Sequence, residues 1–216
     1  MGLIINKINA VKIKEVFQSL KDPVKLIVFT QELECQYCRE NRILVEEVVV
    51  LSPLLSLEVY NFITDKEKVQ EYGIEMVPAI VVIGEKDYGI RFYGVPGGFE
   101  FTSLIETIKM VSSGDSGLDD MTKAELKKIT KAINIKVFIT MTCPYCPSAV
   151  LNAHRFALEN DNIRSCMIDS TEFIPLSNKY RVYAVPKIVI NEYIQFEGPL
   201  PEDKLLAEIL KFNLIC

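Results

Sequence analysis

Two cysteine pairs of identical spacing constrain this 216-residue chain more than any other feature. Cys35 and Cys38 form one C-x-x-C sequence, and Cys143 and Cys146 form a second. Each pair has a tyrosine directly before its second cysteine, and Cys143 follows Cys35 by 108 residues, which is half of the chain length. Matching motifs at a fixed offset indicate an internal duplication. The chain is therefore predicted to fold as two similar units.

Residues outside the cysteine pairs repeat at the same offset. The matched pairs are Tyr37 with Tyr145, Tyr72 with Tyr180, Val77 with Val185, Pro78 with Pro186, and Ile80 with Ile188. A Gly/Ser/Asp cluster at residues 112–117 separates an apolar-periodic segment from the next helix start, as is typical of a linker. We therefore assign one domain to residues 1–115 and the other to residues 116–216.

The charge balance argues against a nucleic-acid partner. Lys and Arg number 24 against 29 Asp and Glu, which gives a formal net charge of −5, and no basic run supplies a local patch.

No apolar run approaches the ~18 residues that a membrane span requires. Asn6 and Lys7 interrupt the apolar N-terminal stretch, which is atypical of a secretory signal. We therefore expect a cytoplasmic protein that has neither nucleic acid nor membrane as a partner.

Both halves show the same order of helical and strand patterns. In the first half the predicted elements are helices at residues 9–20, 36–51, 66–72 and 99–111 and strands at residues 25–30, 55–63, 79–83 and 90–93. In the second half they are a helix opened by a Thr122/Glu125 capping box, helices at residues 144–159, 174–180 and 202–212, and strands at residues 135–140, 163–168, 187–190 and 193–196. This order predicts an α/β fold in which each half has a central mixed β-sheet flanked by helices.

These motifs resemble those of a known redox family. The C-P-Y-C sequence at residues 143–146 is the glutaredoxin signature. A tandem C-Q-Y-C and C-P-Y-C resembles the glutaredoxin-like protein disulfide oxidoreductases of hyperthermophilic archaea and bacteria. The resemblance covers essentially the whole chain, including residues 88–101 and 196–202. It implies two tandem thioredoxin-like domains that catalyse dithiol–disulfide exchange on protein substrates by reduction, oxidation or isomerisation.

A more distant resemblance concerns the N-terminal domain of alkyl hydroperoxide reductase flavoproteins. That domain also contains two such folds, but only one of its halves keeps a C-x-x-C pair. Both pairs are intact in this chain. The protein disulfide oxidoreductases are therefore the better fit.

The position of each first cysteine suits thiol–disulfide exchange. The attacking species is a thiolate, and a free cysteine with a pKa of about 8.5 is mostly protonated at neutral pH. A helix N-terminus stabilises an anion by as much as ~2 kcal/mol, so at ~1.4 kcal/mol per pKa unit it brings such a thiol to a pKa of ~7. Cys35 and Cys143 are therefore the predicted nucleophiles. Cys38 and Cys146 are the predicted resolving thiols, which release the mixed disulfide.

The residues next to the two pairs differ. Pro144 has its φ angle preset for the first helical turn and lacks an N–H that would have no intrahelical partner there. Arg39 follows the first pair and adds positive potential, whereas Pro147 follows the second pair. We therefore expect the two sites to differ in reduction potential.

The resemblance also assigns residues that meet the substrate. In thioredoxin folds the proline of the V-P sequence is cis and lies beside C-x-x-C, and the residue before it offers its backbone to an extended substrate chain. The resemblance carries these roles to Val77, Pro78, Val185 and Pro186. Tyr37 and Tyr145, inside the active-site loops, are candidates for shaping substrate access. The alternative is that they are partly exposed loop residues without such a role.

The predicted partners are protein disulfides and dithiols. The resemblance suggests a thioredoxin reductase as the electron donor and adds a peroxiredoxin as a candidate partner. We assign no cofactor and no metal ion, because the paired thiols themselves carry the chemistry. Two alternatives stay open. The chain is either an electron carrier dedicated to one peroxidase-type partner, or a protein that binds zinc or an iron–sulfur cluster through its paired cysteines.

Four other residues receive mainly structural interpretations. Cys166 lies in an apolar strand pattern and is predicted to be a buried, inert thiol. Cys216 is the last residue and is assigned no redox partner. His154, the only histidine, is predicted to lie on a helix surface or to be satisfied by a hydrogen bond. Glu46, at the equivalent position of the first half, is predicted to be solvated, with proton transfer as the alternative.

Overall fold

The computed structural model describes residues 4–215, and its first half alternates helices with strands in the predicted order. The elements are α1 (Lys7–Phe17), β1 (Val24–Thr30), α2 (Cys38–Val49), β2 (Leu55–Asn61), α3 (Lys66–Glu71), β3 (Ala79–Ile83), β4 (Asp87–Tyr93) and α4 (Glu100–Ser113). The apolar, β-branched sequence of β1 is buried at five of its seven positions, as expected for a central strand.

The second half repeats this order. Its elements are α5 (Asp120–Leu126), β5 (Ile133–Ile139), α6 (Cys146–Glu159), β6 (Ile163–Asp169), α7 (Ile174–Lys179), β7 (Lys187–Ile190), β8 (Ile194–Glu197) and α8 (Glu202–Ile215). The predicted α/β order is therefore confirmed. Cys216 lies outside the described residues.

One eight-stranded sheet runs through both halves, in the order β2-β1-β3-β4-β6-β5-β7-β8. In each half the first strand pairs in parallel with the second and antiparallel with the third. We call the parallel pairing of β4 with β6 the seam, where Ile90 lies opposite Ser165 and Tyr93 lies opposite Ile168. Each half therefore contributes a mixed set of four strands, as predicted, and the seam joins the two sets into one sheet. The seam pairs the backbone N–H and C=O groups of two strands that would otherwise be open edges.

Because of the seam, β2 and β6, the equivalent second strands of the two halves, differ in solvent exposure. β2 is an outer strand of the sheet, and only Leu55 in it is buried. β6 holds the equivalent place in the second half but is covered by β4, and only Arg164 in it is exposed. The carboxyl end of β6, including Asp169, is therefore buried where the two halves meet.

Apolar layers cover both faces of the sheet. One face carries the larger core, to which Phe17 of α1, Val45 of α2, Leu104 of α4 and Phe156 of α6 contribute. The opposite face carries a smaller core that packs under α3 and α7. Full burial of one such side chain contributes about 2 kcal/mol, whereas an exposed ion pair contributes 0–1 kcal/mol, roughly. Apolar burial therefore holds the helices that follow the cysteine pairs on the sheet.

The cap of α5 differs from the predicted one. The carboxylate of Asp119 accepts the N–H groups of Met121 and Thr122, both at 2.9 Å, and Asp119 is therefore the N-cap. Thr122 lies inside the helix, and its hydroxyl donates to Asp119 at 2.8 Å. The predicted Thr122/Glu125 capping box was wrong, because an aspartate three residues earlier reaches the same unpaired N–H groups.

No helix within residues 4–215 combines the length and the apolar character that a bilayer crossing needs.

Candidate active site

The first cysteine pair forms a disulfide at the start of α2. The Cα atoms of Cys35 and Cys38 are 5.5 Å apart. Cys35 lies in the loop before the helix and is half-buried, whereas Cys38 is the first helical residue and is only 2% exposed. The N–H of Gln31 donates to the Cys38 sulfur at 3.3 Å. The more accessible sulfur therefore belongs to the predicted nucleophile.

The second pair has the same arrangement with a more covered first sulfur. The Cα atoms of Cys143 and Cys146 are also 5.5 Å apart, and α6 begins at Cys146. Cys143 is 8% exposed and Cys146 is fully buried. The sulfur of Cys143 lies 3.8 Å from the carbonyl oxygen of Val185. The predicted substrate-binding segment of this half therefore contacts the predicted nucleophile.

Both helices begin later than predicted. The predictions started them at residues 36 and 144, directly after the first cysteine, but each helix starts at its second cysteine. The first cysteine instead lies three residues before the first helical residue. It still precedes a helix N-terminus, whose unpaired N–H groups favour an anion.

The V-P segments lie beside the loops that hold the disulfides. The Val77–Pro78 and Val185–Pro186 peptide bonds are both cis. Pro78 directly precedes β3, whose first residue pairs with Phe29 near the end of β1, and the loop with Cys35 follows that strand. The structure therefore places each V-P segment next to the end of the strand that leads to its cysteine pair.

The two loop tyrosines differ in exposure. Tyr145 is 66% exposed. Tyr37 is half-buried, and its hydroxyl accepts the side-chain N–H of Gln36 at 3.2 Å. Both tyrosines lie at the N-terminal ends of their helices. Only Tyr145 therefore presents most of its ring to an incoming chain.

The surroundings of the two disulfides differ in polarity. An open groove of about 520 Å³ beside Cys35 is lined mainly by polar and charged side chains, including Glu32, Arg42 and Asp65. At the second site, Tyr183 lies two residues before Val185 and is 85% exposed. Its equivalent in the first half is Glu75. The first site is thus charged, and the second is flanked by exposed aromatic rings.

Three carboxyl groups that the sequence did not single out lie near the seam. Asp169 and Glu100 are fully buried, and Glu172 is half-buried. Each has one carboxyl oxygen that is buried without a hydrogen-bond partner. The other oxygens accept hydrogen bonds. Ser103 donates to Glu100 at 2.5 Å, Thr171 donates to Asp169 at 2.7 Å, and the N–H of Val95 donates to Glu172 at 2.8 Å.

Two of these carboxyl groups hold protons at unusually high pH. Burial raises the pKa of Glu100 to about 7, and the charge of Asp169 acts in the same direction. Burial also raises the pKa of Glu172 to about 7, with Asp169 and Glu40 adding to the effect and the Val95 N–H opposing it. Both carboxyl groups are therefore partly protonated near neutral pH.

Glu100 lies close to the second site. It is the first residue of α4, and the N–H of the preceding Phe99 donates to the carbonyl oxygen of Met141 at 3.0 Å. Met141 lies two residues before Cys143. The sequence carries one signal of this position, namely an acidic residue between Phe99 and Phe101 at the start of an apolar helix. That signal is weak, because a helix also favours an acidic residue in its first turn for its dipole.

The other sequence candidates do not join the disulfide sites. His154 is fully buried, which excludes the helix-surface alternative and agrees with the predicted alternative of a side chain that makes a hydrogen bond. Its Nδ1 contacts the hydroxyl of Ser165 at 2.8 Å, and burial lowers its pKa to about 3. Cys166 is buried without a disulfide, and burial raises its pKa to about 11. Glu46 pairs with Arg42 at 2.7 Å.

Metal binding has no ready site among the residues that the structure describes. Within residues 4–215, no group of three or more His, Cys, Asp or Glu side chains is arranged to hold a metal ion.

Comparison with known proteins defines the class. A family model described as a thioredoxin domain matches residues 24–106 and matches residues 133–211 a second time. Each matched segment contains one C-x-x-C pair that is joined as a disulfide. The chain is thus a redox protein with two thioredoxin domains in tandem.

A solved structure narrows the assignment. The crystal structure of a protein disulfide oxidoreductase from Aeropyrum pernix K1 superimposes with a TM-score of 0.90 at 33% sequence identity. The match covers 95% of this chain and 92% of that one. The chain belongs to the protein disulfide oxidoreductase family, as its motifs predicted.

The chain is also similar to alkyl hydroperoxide reductase flavoproteins, the more distant relatives that its motifs indicated. The alkyl hydroperoxide reductase protein AhpF of Pseudomonas aeruginosa is 31% identical over 123 residues, which are 57% of this chain and 24% of that protein. This chain thus spans about a quarter of that relative's length. The N-terminal domain of the Enterococcus faecalis protein matches with a TM-score of 0.88 at 24% identity over 94% of this chain and 99% of that domain, which shows a shared fold.

Proposed function

We propose that the protein catalyses dithiol–disulfide exchange on protein substrates through both C-x-x-C sites. The main support is that each cysteine pair forms a disulfide in which the first cysteine is more exposed than the second. The contact between Cys143 and the carbonyl of Val185, at 3.8 Å, adds support, because it places a strand-like backbone beside the reacting sulfur.

The proposed reaction at the second site has two steps. The thiolate of Cys143 attacks one sulfur of a substrate disulfide, which forms a mixed disulfide and releases the other sulfur as a thiolate that takes up a proton. Cys146 then gives up its proton and attacks the Cys143 sulfur, which releases the second substrate thiol. The substrate gains two electrons and two protons, and the Cys143–Cys146 disulfide forms. Oxidation of a substrate dithiol is the reverse sequence.

The first site is assigned the same steps with Cys35 as the nucleophile and Cys38 as the resolving thiol. Val77 and Pro78 here, with Val185 and Pro186 at the second site, are proposed to bind the substrate backbone. Tyr37 and Tyr145 are proposed to border the entrance to each site. We further propose that residues 1–115 and 116–216 are the two redox units.

A reductant must return two electrons to each disulfide after every turnover. We propose a thioredoxin reductase for this role in the cytoplasm, as the family resemblance suggests. Protein disulfides and dithiols are the proposed substrates, and a peroxiredoxin is a further candidate partner. The proposal requires no cofactor and no metal ion, because thiols carry every electron that is transferred.

The direct test is reduction of insulin disulfides by dithiothreitol with catalytic amounts of the protein. We expect the wild-type chain to accelerate the reaction and the variant with all four paired cysteines replaced by serine to be inactive. Cys166→Ser serves as the matched control, since that thiol is buried and unpaired. Equal rates with and without the wild-type protein would refute the proposed function.

A second candidate is an electron carrier for one peroxidase-type partner, and the likeness to the alkyl hydroperoxide reductase protein AhpF favours it. A dedicated carrier would reduce a peroxiredoxin much faster than insulin. A general oxidoreductase would reduce both substrates at comparable rates. A purified protein that carries zinc or an iron–sulfur colour would instead support the metal-binding alternative.

A further inference from the structure

A short loop between β4 and α4 touches both active-site regions. We call residues 94–99 the bridging loop. At one end, the N–H of Gly94 donates to the carbonyl oxygen of Pro78 at 3.0 Å, in the V-P segment of the first site. At the other end, the N–H of Phe99 donates to the carbonyl oxygen of Met141 at 3.0 Å, two residues before Cys143. The bridging loop therefore connects segments that belong to different sites.

A side chain from the second half holds the middle of this loop. The carboxyl group of Glu172, between β6 and α7, accepts the N–H of Val95 at 2.8 Å, although 77 positions separate the two residues in the chain. This contact crosses the seam. Two adjacent residues of the bridging loop thus make hydrogen bonds to different halves. Val95 donates to Glu172 of the second half, and Gly94 donates to Pro78 of the first site.

The close approach of the two halves depends on a glycine. Gly94 has a φ of +96°, which favours glycine, and a Cβ atom there would lie 2.7 Å from the Cβ of Asp169 and 3.2 Å from the carboxyl carbon of Glu172. Gly94 therefore allows the loop to lie directly against the end of β6, where Glu172 reaches it.

The corresponding turn of the second half lacks this support. Gly198 donates its N–H to the carbonyl oxygen of Pro186 at 2.8 Å, as Gly94 does to Pro78. A Cβ at Gly198 would meet no atom within 4 Å. Of the two V-P segments, that of the first site is therefore the one hydrogen-bonded to a loop that packs against the other half.

We propose that Glu172 is a positioning residue for the first site, although it lies in the second half. By holding Val95, it fixes the bridging loop and keeps Pro78 and the preceding Val77 where an extended substrate chain meets Cys35. This inference rests on the proposed function. It predicts an effect on the binding of peptide substrates, while the chemistry of the Cys35 thiolate stays unchanged.

The test uses a protein in which only the first site is active, the variant Cys143→Ser/Cys146→Ser. Glu172→Ala in this background should raise the KM for a peptide disulfide about fivefold, the effect of losing one hydrogen bond. The kcat for that peptide and the rate with cystamine, a small disulfide, should stay unchanged. Glu172→Gln keeps an oxygen that accepts the Val95 N–H, and it should restore the KM.

Two controls separate positioning from general destabilisation. Glu159→Ala removes another carboxylate that ties two segments together, through Ser116, far along α6 from the cysteines. It should leave the KM of the first site unchanged. Glu172→Ala in the opposite background, Cys35→Ser/Cys38→Ser, should leave the KM of the second site unchanged. A first-site KM that Glu172→Ala does not raise, or an equal rise at both sites, would overturn the proposal.

A second route covers the case in which Glu172→Ala does not fold. Val95→Pro removes the N–H donor and leaves Glu172 in place, so it should raise the first-site KM to the same extent, and a Glu172→Gln change added to it should have no further effect. An unchanged KM in folded Val95→Pro would also overturn the proposal. Failure of the proposed function gives a different result, since the parent single-site protein would then react with neither substrate.

Discussion

The sulfur of Cys143 lies 3.8 Å from the carbonyl oxygen of Val185, across 42 positions of sequence. Val185 directly precedes the cis-proline Pro186, and β7 begins at the next residue, Lys187. The contact joins the reacting sulfur to a backbone segment that is suited to pairing with an extended chain.

The first prediction concerns the two nucleophiles. The double variant Cys35→Ser/Cys143→Ser should lose insulin reduction completely. Among the cysteines that the structure describes, only these two are both more exposed than their disulfide partners and placed before a helix N-terminus. Cys166→Ser and Cys216→Ala should keep nearly full activity. Retained activity in the double variant would show that other sulfurs attack the substrate.

The second prediction concerns the resolving thiols. Cys146→Ser should accumulate a covalent adduct with a substrate, because Cys143 still attacks but no buried thiol releases the mixed disulfide. Cys38→Ser should do the same at the first site. Intact-mass spectrometry measures the adduct, and its loss on addition of dithiothreitol is the control. Absence of any adduct in both variants would contradict the assigned roles.

The third prediction concerns the difference between the sites. Arg39 follows the first pair and Pro147 the second, so the first thiolate should be the more stabilised. One pKa unit corresponds to about 30 mV for a two-electron couple, and we expect the first site to be more oxidising by at least that much. The C-P-Y-C site should carry most of the reductase activity. Single-site variants titrated against glutathione buffers measure both potentials, and equal values would contradict the prediction.

The fourth prediction concerns Glu100 and the pH dependence of stability. Its pKa rises from 4.5 to about 7 on folding, so between these values the folded state holds a proton that the unfolded state has released. The free energy of unfolding should therefore fall as the pH rises through this window, by up to roughly 3 kcal/mol from this group.

Urea unfolding of Glu100→Gln between pH 5 and 7, roughly, measures this effect, since the amide removes the titration. The slope against pH should become flatter. The half-exposed Glu106 of the same helix, paired with Lys109, supplies the control variant Glu106→Gln, which should keep the wild-type slope. A wild-type slope in Glu100→Gln would mean that other groups set the pH dependence.

The fifth prediction concerns Tyr183, whose ring is 85% exposed beside the second site. In the second-site protein, Tyr183→Ala should raise the KM for an apolar peptide disulfide and leave the KM for cystamine unchanged, because a small disulfide does not reach the ring. Tyr193, 82% exposed at the opposite end of β7, supplies the control variant Tyr193→Ala. Equal effects of the two substitutions would exclude a specific role for Tyr183.

Much of the architecture follows from local sequence patterns. The duplicated C-x-x-C pairs, the repeated V-P sequence and the alternation of strand and helix periodicities predict the order of the elements, because each depends on neighbours within a few residues. Errors at this level are small. The helices α2 and α6 begin at the second cysteine, and Asp119 caps α5 in place of Thr122. Such boundaries depend on hydrogen bonds at helix ends, which composition alone does not specify.

The arrangement of the two halves, by contrast, was decided by contacts between residues far apart in sequence. The pairing of β4 with β6 depends on matching two open strand edges, and each of those edges has the same local pattern with or without the other. Burial then changed the chemistry of ordinary residues. His154 became a neutral core side chain, and Glu100 and Glu172 became carboxyl groups with pKa values near 7. The sequence by itself determined which sulfurs are paired, whereas the tertiary structure decided which carboxyl groups are buried at the seam, because burial is a property of the packed chain.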